Sequence, residues 1–303
     1  MMDLTNLQQR FAEIVADLPF RFNEPMSDHT SFRIGGKAEI MVFPQDVEQL
    51  RYIVVKSGLL DCKIAILGAG TNVLAPDEGM PGIVICLKDA LSGIEMLDGH
   101  RIRCMAGVTM TRAAVFAANN GLSGMEFAHG IPGTVGGGVY MNAGAYDGEI
   151  SKICSCVQVM DREGNIRILD NDSLEFSYRH SALCQSDEVI ISADFQLQPG
   201  CVGDIRDKMK DLMARRSSSQ PLDMPSAGSA FKRPEGHYAA ALIDQAGLKG
   251  LRVGGAEVSR KHAGFIVNCG NASAQDVKEL IQLVSDRVRL VFDVILEPEV
   301  RIW

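Results

Sequence analysis

The densest chemical signal in the chain is an absence of side chains. Nine glycines fall within residues 121–148, among them the run Gly130-Ile131-Pro132-Gly133-Thr134-Val135-Gly136-Gly137-Gly138, followed by Asn142-Ala143-Gly144-Ala145. Glycine weakens helices and strands by up to about 1 kcal/mol each, so such density calls for a reason. Backbone N–H groups that converge on one point form an anion nest, and a diphosphate-bearing cofactor is a fitting guest. A flexible loop is the other reading, but Ile131, Pro132, Val135, Val139 and Tyr140 are apolar or rigid where a linker carries Ser and Asn. A second cradle, Gly68-Ala69-Gly70-Thr71-Asn72, follows the strand-like residues 63–67. It opens like a dinucleotide-binding turn, yet Val73 stands where the third glycine belongs and Pro76 follows closely. A plain tight turn also explains Gly68 and Gly70. Two cradles in one chain predict a diphosphate held between two small subdomains.

Other reactive residues form no such pattern. Of eight cysteines only Cys154 and Cys156 are neighbours, in an alternating stretch that puts both side chains on one face. No Cys-x-x-Cys or His-rich cluster accompanies them and the six histidines lack ligand spacing, so no metal site is expected. The opening Met1-Met2-Asp3-Leu4-Thr5-Asn6 has neither the basic nor the apolar region of an export signal, which predicts a cytoplasmic protein with free thiols.

The elements that must position these residues can be read from periodicity. Leu7, Phe11, Ile14, Val15 and Leu18 give an amphipathic helix from Leu4 that stops before Pro19. A strand at 38–43, a helix at 46–56 closed by Gly58, and strands at 63–67 and 82–87 follow. Next come strands near 94–97 and 102–106, a helix over 109–119, and strands over 153–160 and 189–197. A helix over 204–216 leads into a Ser- and Pro-rich loop, 217–229, read as functional or mobile. A helix over 273–292 shows Val277, Leu280, Ile281, Val284 and Val288 on one face, with Ser273 and Asp276 placed to cap it. A final strand over 294–303 carries Pro298, which belongs at an edge or a bulge.

Composition bounds the classes. The chain has 303 residues, 46% hydrophobic and 22% charged, the make-up of a folded multidomain protein rather than a disordered one. A net charge of -8 argues against nucleic acid as a partner, and no apolar run approaches the about 18 residues of a membrane span.

Six ordered blocks then carry a family resemblance. They are His29-Thr30-Ser31-Phe32-Arg33-Ile34-Gly35-Gly36, Gly68-Ala69-Gly70-Thr71-Asn72, the glycine run with Asn142-Ala143-Gly144-Ala145, Tyr178-Arg179-His180-Ser181, Pro225-Ser226-Ala227-Gly228-Ser229-Ala230-Phe231-Lys232 and Leu296-Glu297-Pro298-Glu299-Val300. Together they resemble the UDP-N-acetylenolpyruvoylglucosamine reductases, flavoenzymes of peptidoglycan precursor synthesis. The resemblance implies an α/β fold: a vanillyl-alcohol-oxidase-type FAD-binding fold of two subdomains, residues 1–90 and 91–200, plus a third α/β domain for the substrate, residues 201–303. The strand at 294–303 is expected to return near the active site. Residues 68–74 contain neither His nor Cys, so noncovalent FAD is expected. Arg233 follows Phe231-Lys232 where some members carry Asn, and the span from Tyr178 to Ser229 leaves little room for an inserted tyrosine-bearing loop. This looks like the shorter subclass.

The implied reaction passes hydride from NADPH through FAD to the double bond of a UDP-sugar enolpyruvyl ether. The resemblance gives FAD contacts to Gly68, Ala69, Gly70, Thr71 and Asn72, to Ile131, Pro132, Gly133, Thr134, Gly136 and Gly137, and to Asn142, Ala143, Gly144 and Ala145. It makes Arg179, Ser229 and Glu299 catalytic and Tyr178, Lys232 and Arg233 substrate-binding. Arg179 suits a carboxylate whose charge grows during reduction, because its forked guanidinium stays protonated. Ser229 would protonate the α-carbon, helped by neighbouring positive charge such as Lys232 or Arg233. Glu299 helps only if protonated or if it acts through a cation or water, which predicts a raised pKa. Read without the family, Arg179 is a surface residue, Ser229 a turn serine and Glu299 an exposed strand carboxylate. An FAD-dependent sugar or alcohol oxidase, a silent sugar-nucleotide binding module, and a Rossmann dehydrogenase on Gly68-Ala69-Gly70 remain alternatives; the last leaves the second cradle unexplained.

Overall fold

The lead helix is shorter than its apolar pattern. In the computed structural model, which describes residues 5–15, 18–60 and 62–303, α1 spans Asn6–Ile14, opened by a reciprocal cap between Thr5 and Gln8. Leu4, where the pattern starts, lies outside the described residues. The chain divides into two units: Met1–Asn23, Glu39–Ala69 and Pro81–Ala214 form the first, and Glu24–Ala38, Gly70–Met80 and Arg215–Trp303 the second.

The first unit holds two sheets. One has the strand order Phe20–Pro25, Lys37–Val42, Met80–Cys86, Ile64–Leu67, the last two parallel. The helix expected at 46–56 is α2, Val47–Leu59, with the Asp46 carboxylate accepting from Gln49 N–H. Gly58 does not close it. It lacks the positive φ of a glycine stop and lies inside the last turn.

The other sheet is antiparallel, in the order Ile166–Asp170, Cys154–Met160, Val189–Gln196, Arg101–Met105, Ile94–Leu97. Its edge strand Ile166–Asp170 buries only Leu169, so the sequence shows no apolar run there. The Arg103 guanidinium grips the buried Asp194 with two bonds, 2.6 and 2.8 Å. A register shift between Cys154 and Cys156 breaks the strict alternation expected of that pair, leaving Cys154 buried and Cys156 half-buried. Helix α3, Met110–Asn119, is capped by Thr109 and buries Ala113, Ala114, Ala117 and Ala118. Those small side chains let neighbouring backbone approach closely. A short α4, Val135–Tyr140, lies inside the glycine run.

Helix α5, Val202–Ser219, is longer than the expected 204–216. Ser218 and Ser219 remain helical because their hydroxyls fold back onto the Arg215 carbonyl at 2.8 and 2.9 Å. Since Ser226–Ser229 is a strand, the expected loop 217–229 shrinks to 220–225.

The second unit has an antiparallel sheet in the order Ser226–Ser229, Phe265–Asn268, Ala256–Val258, Arg252–Val253. Helices α6, Ala239–Gln245, and α7, Ala274–Phe292, contribute to its core. Ser273 and Asp276 form the predicted capping box of α7, and Val277, Leu280, Ile281, Val284 and Val288 are its buried face. The Asp77 carboxylate adds to that end by accepting from the N–H groups of Ala274 and Gln275 at 2.7 and 3.1 Å. The expected final strand is reduced to Arg301–Ile302, parallel to Val73–Leu74. Before it, Pro298 makes an isolated bridge with Phe231, as a residue without an N–H must. Among the described residues, no helix is long and apolar enough to cross a membrane.

Candidate active site

The two glycine segments, 60 residues apart in sequence, touch. The parallel strand Ile64–Leu67 delivers the chain to Gly68, where a Cβ would fall 2.5 Å from Thr134 Oγ1. Thr134 is the N-cap of α4, its hydroxyl accepting from Gly137 N–H at 3.4 Å. The start of α4 is tied to the turn that follows the strand Arg101–Met105 through Val135 N–H to Val108 O, 2.7 Å, and Gly136 N–H to Ala106 O, 2.9 Å. That tie explains much of the glycine. A Cβ on Gly136 would meet Ala106 Cβ at 3.0 Å, one on Gly138 the Met110 sulfur at 2.9 Å, one on Gly144 the Gly148 carbonyl at 2.7 Å, and one on Gly148 the Phe127 ring at 2.5 Å. At these four positions the close neighbour is protein. Gly137 differs: it is exposed, with nothing nearer its Cβ position than 3.6 Å. Pro132 is exposed too, and in the residue before Gly130 the buried His129 Nδ1 has no partner among the described residues. This combination of open backbone and an unpaired ring nitrogen fits the nucleotide part of FAD.

Beyond the cradle, Ser177 and His180 exchange backbone hydrogen bonds of 3.1 and 3.2 Å around a tight turn whose tip is Tyr178-Arg179. Arg179 has φ 56°. Its guanidinium donates to the Gly144 carbonyl at 3.2 Å and lies over the Tyr178 ring, 5.0 Å from the centroid. Asn142, 2% exposed and at φ 42°, donates from Nδ2 to the Ser177 carbonyl at 3.0 Å and accepts Ser151 N–H at 2.9 Å. Arg179, Tyr178, Asn142 and Gly144 thus meet within the first unit. Ala143 N–H closes onto Gly138 O, and Ala145 pairs with Gly148.

The second unit gathers the other predicted residues. Ser229 ends its strand opposite Phe265, after Gly228 at φ 75°. Glu299 N–H donates to Ala230 O at 2.9 Å, which sets the Glu299 segment beside the Ser229 strand. The first glycine turn reaches the same place: Asn72 Nδ2 donates to Glu299 O at 3.2 Å and its carbonyl accepts Arg301 N–H at 2.9 Å. Gly70, at φ 60°, presses against the His29 carbonyl where a Cβ has no room, and Thr71 is half-buried beside it. Lys232 pairs with Glu297 at 3.2 Å, and the Arg233 guanidinium lies 3.9 Å from the Tyr238 ring centroid.

Two supporting groups escaped the sequence reading. Ser31 donates its hydroxyl to Ser226 O at 2.6 Å, and Asn268 Nδ2 to Phe32 O at 3.0 Å, so the block from His29 to Gly36 braces the Ser229 strand. The block was visible as a motif, but nothing in it names a partner 195 residues away. Glu126 is the other case: 3% exposed, it accepts from Ser123 Oγ at 2.6 Å and Gly124 N–H at 3.0 Å and meets Lys208 Nζ at 3.4 Å. Burial works against its charge, but these bonds outweigh it and hold the carboxyl below its usual range.

Comparison with known proteins gives a consistent picture. Residues 38–170 match the model of an FAD binding domain, and residues 220–303 that of the UDP-N-acetylenolpyruvoylglucosamine reductase C-terminal domain. The chain is 44% identical over 290 residues to the UDP-N-acetylenolpyruvoylglucosamine reductase of Lactococcus lactis subsp. cremoris, covering 96% of each. It is 41% identical over 302 residues to the enzyme of that name from Clostridium botulinum, covering 100% of this chain and 98% of the relative. The crystal structure of the Thermus caldophilus reductase superposes with a TM-score of 0.80 at 34% identity, over 94% of this chain and 98% of that one.

Proposed function

Because the chain belongs to the UDP-N-acetylenolpyruvoylglucosamine reductase family, we propose how its own residues divide the work of an FAD-dependent, NADPH-using oxidoreductase of peptidoglycan synthesis. Bound FAD takes a hydride from NADPH and supplies it to the enolpyruvyl double bond of UDP-N-acetylglucosamine enolpyruvate, giving UDP-N-acetylmuramate. The relatives favour this over the oxidase alternative.

Arg179 holds the substrate carboxylate. Its charge persists at any working pH, and a donor prearranged against developing negative charge is worth about 3–4 kcal/mol of barrier. The observation that carries this reading is the Arg179 turn, docked on Gly144 at the end of the glycine segment. Tyr178, half-exposed and stacked under the guanidinium, lines the same face. Ser229 delivers the proton to the α-carbon from the end of its strand. Glu299, beside it through Ala230, acts either protonated or through a cation or water, since an ionised carboxylate in direct contact would oppose negative charge developing on the substrate. Lys232, paired with Glu297, and Arg233, stacked on the Tyr238 ring, bind the UDP-sugar and supply the positive charge near Ser229.

The exposed backbone at Gly137 supports the assignment of the second cradle to the FAD diphosphate, and the absence of His and Cys from residues 68–74 supports noncovalent attachment. Residues 1–90 and 91–200 are proposed as the FAD-binding subdomains and 201–303 as the substrate domain; the FAD-binding match over 38–170 falls within the first two and the C-terminal-domain match over 220–303 within the third. The strand Val189–Gln196 and helix α5, joined by short connections, fill most of the span from Ala182 to Ser226, which supports the shorter subclass. A net charge of -8 supports an enzyme without a nucleic-acid partner.

The test is Ser229→Ala. NADPH should bleach the flavin nearly as in the parent enzyme, while turnover with UDP-N-acetylglucosamine enolpyruvate falls by orders of magnitude. Unchanged turnover would remove Ser229 as the proton donor, and protein that binds no added FAD would end the whole reading.

A further inference from the structure

The family resemblance groups Asn142 with the flavin contacts, but both ends of its carboxamide are engaged by backbone of this chain. We infer that Asn142 is a positioning residue whose carboxamide pins the Tyr178-Arg179 turn to the end of the glycine segment, so that the guanidinium meets the substrate carboxylate already in place. The inference rests on the reading of Arg179 as the carboxylate anchor.

The geometry is specific. Asn142 is 2% exposed, and both ends of its carboxamide are engaged by backbone: Nδ2 by the Ser177 carbonyl at 3.0 Å, Oδ1 by Ser151 N–H at 2.9 Å. The Ser177 carbonyl also accepts His180 N–H at 3.2 Å, so Asn142 fills its second lone pair. The turn needs such help. Ser177 and Tyr178 are exposed, so little packing fixes them, and Arg179 has φ 56° at the third turn position, where Gly or Asn is usual. A strained arginine at the tip of an exposed turn keeps one orientation only if the turn is held from below.

Two further bonds complete the hold. Ser181 Oγ and Cys184 Sγ both donate to the Tyr140 carbonyl, at 2.8 and 3.0 Å, fastening the outgoing chain to the last residue of α4. Asn142, two residues on, holds the turn itself. Its own left-handed φ of 42° is one that asparagine tolerates better than most residues. Aspartate keeps this shape and the bond from Ser151 N–H, but it cannot donate to Ser177 and sets oxygen against oxygen.

The experiment is a double-mutant cycle of Asn142→Asp with Arg179→Ala, read by single-turnover reoxidation of NADPH-reduced enzyme with UDP-N-acetylglucosamine enolpyruvate. Misplacement of a reacting group by about 1 Å can cost about a hundredfold. Asn142→Asp should therefore slow reoxidation about tenfold or more, with FAD content per chain and the visible spectrum at parent values. In the Arg179→Ala background it should cost no more than about twofold, because the residue it positions is gone. Should Asn142→Asp not fold, Asn142→Ser, whose shorter side chain cannot bridge the Ser177 carbonyl and Ser151 N–H and adds no charge, enters the same cycle. Loss of FAD with a normal reoxidation rate in the flavin-loaded fraction would return Asn142 to the cofactor and overturn the inference. Full multiplicative cost in both backgrounds would overturn it too. Parent-like reoxidation by Arg179→Ala alone would instead sink the assignment of Arg179, an outcome visible before the cycle is closed.

Discussion

Gly68→Ala tests whether the two glycine segments are one device. The added Cβ would lie 2.5 Å from Thr134 Oγ1, while Thr134 Cβ and Cγ2 stand at an ordinary 3.6 Å. Thr134 is 2% exposed, so it has little room to yield. Pushing the segments apart costs about 1–3 kcal/mol, as overpacking does. Rotating the hydroxyl away instead forfeits the cap on Gly137, about 1 kcal/mol, and leaves a buried hydroxyl unpaired. Against this, alanine restricts the unfolded chain and returns about 0.4–1 kcal/mol, since φ at Gly68 is not in the left-handed region. The net expectation is a loss of about 1–2 kcal/mol. Thr134→Ala removes the offending oxygen, so in that background Gly68→Ala should be neutral or slightly stabilising. Equilibrium urea unfolding of the FAD-free protein measures both, and a parallel FAD titration should show affinity lost in the single variant and partly recovered in the double. Equal cost in both backgrounds would refute the contact, and with it the claim that the segments form one cradle.

Other perturbations probe the supports of the site. Glu126→Gln should destabilise the protein by about 1–3 kcal/mol at neutral pH, because one acceptor oxygen becomes an NH2 that must face either Ser123 or the Gly124 and Lys208 donors, and the charge that Lys208 meets is lost. The parent carboxyl titrates below its unfolded value of about 4.3, so its advantage is full above that pH and fades as pH falls through the folded value; the two unfolding curves should converge in acid, and a gap constant down to pH 2 would contradict this. Burial pushes the thiols of Cys104 and Cys154 up to about 12, whereas Cys201 is exposed. Iodoacetamide at pH 8 should therefore label Cys201 first and spare Cys104 and Cys154 until the chain unfolds; mass spectrometry showing either buried thiol labelled early would overturn the packing described.

What sequence reasoning recovers, and what it misses, follows the range of the interactions. The Ser273 and Asp276 caps and the Val277 to Val288 face of α7 are local, and they were legible because a 3.6-residue period and a box three residues wide lie within one glance. Three consecutive glycines make a poor helix by propensity, so α4 is invisible until the Ala106 and Val108 carbonyls, just past the strand Arg101–Met105, fix its first turn. The terminal residues 294–303 read as a strand from the apolar Val294-Ile295-Leu296 and Val300, but ahead of Arg301–Ile302 the chain makes only an isolated bridge between Pro298 and Phe231. The family blocks located Arg179, Ser229 and Glu299. They did not reveal that Asn142 acts on a turn 35 residues away, since one hydrogen bond leaves no period and no composition.

The glycine run illustrates how an inference can reach a sound end by an incomplete route. Density alone suggested bare backbone facing a ligand. In the folded chain Gly136, Gly138, Gly144 and Gly148 are small because Ala106, Met110, the Gly148 carbonyl and Phe127 crowd them, and a substitution there would strike protein before any cofactor. That crowding is itself the functional device. An amide can serve as a rigid donor only where the backbone is immobilised, and close packing of backbone on backbone immobilises it without side chains that would fill the cradle. Gly137, exposed among packed neighbours, is where such rigidity becomes available to a ligand, and Gly144, pressed on Gly148, is where it becomes available to Arg179 through its carbonyl. On the proposed assignment the same packed segment serves cofactor and catalytic arginine together, which is why its glycines resist being assigned to one role each.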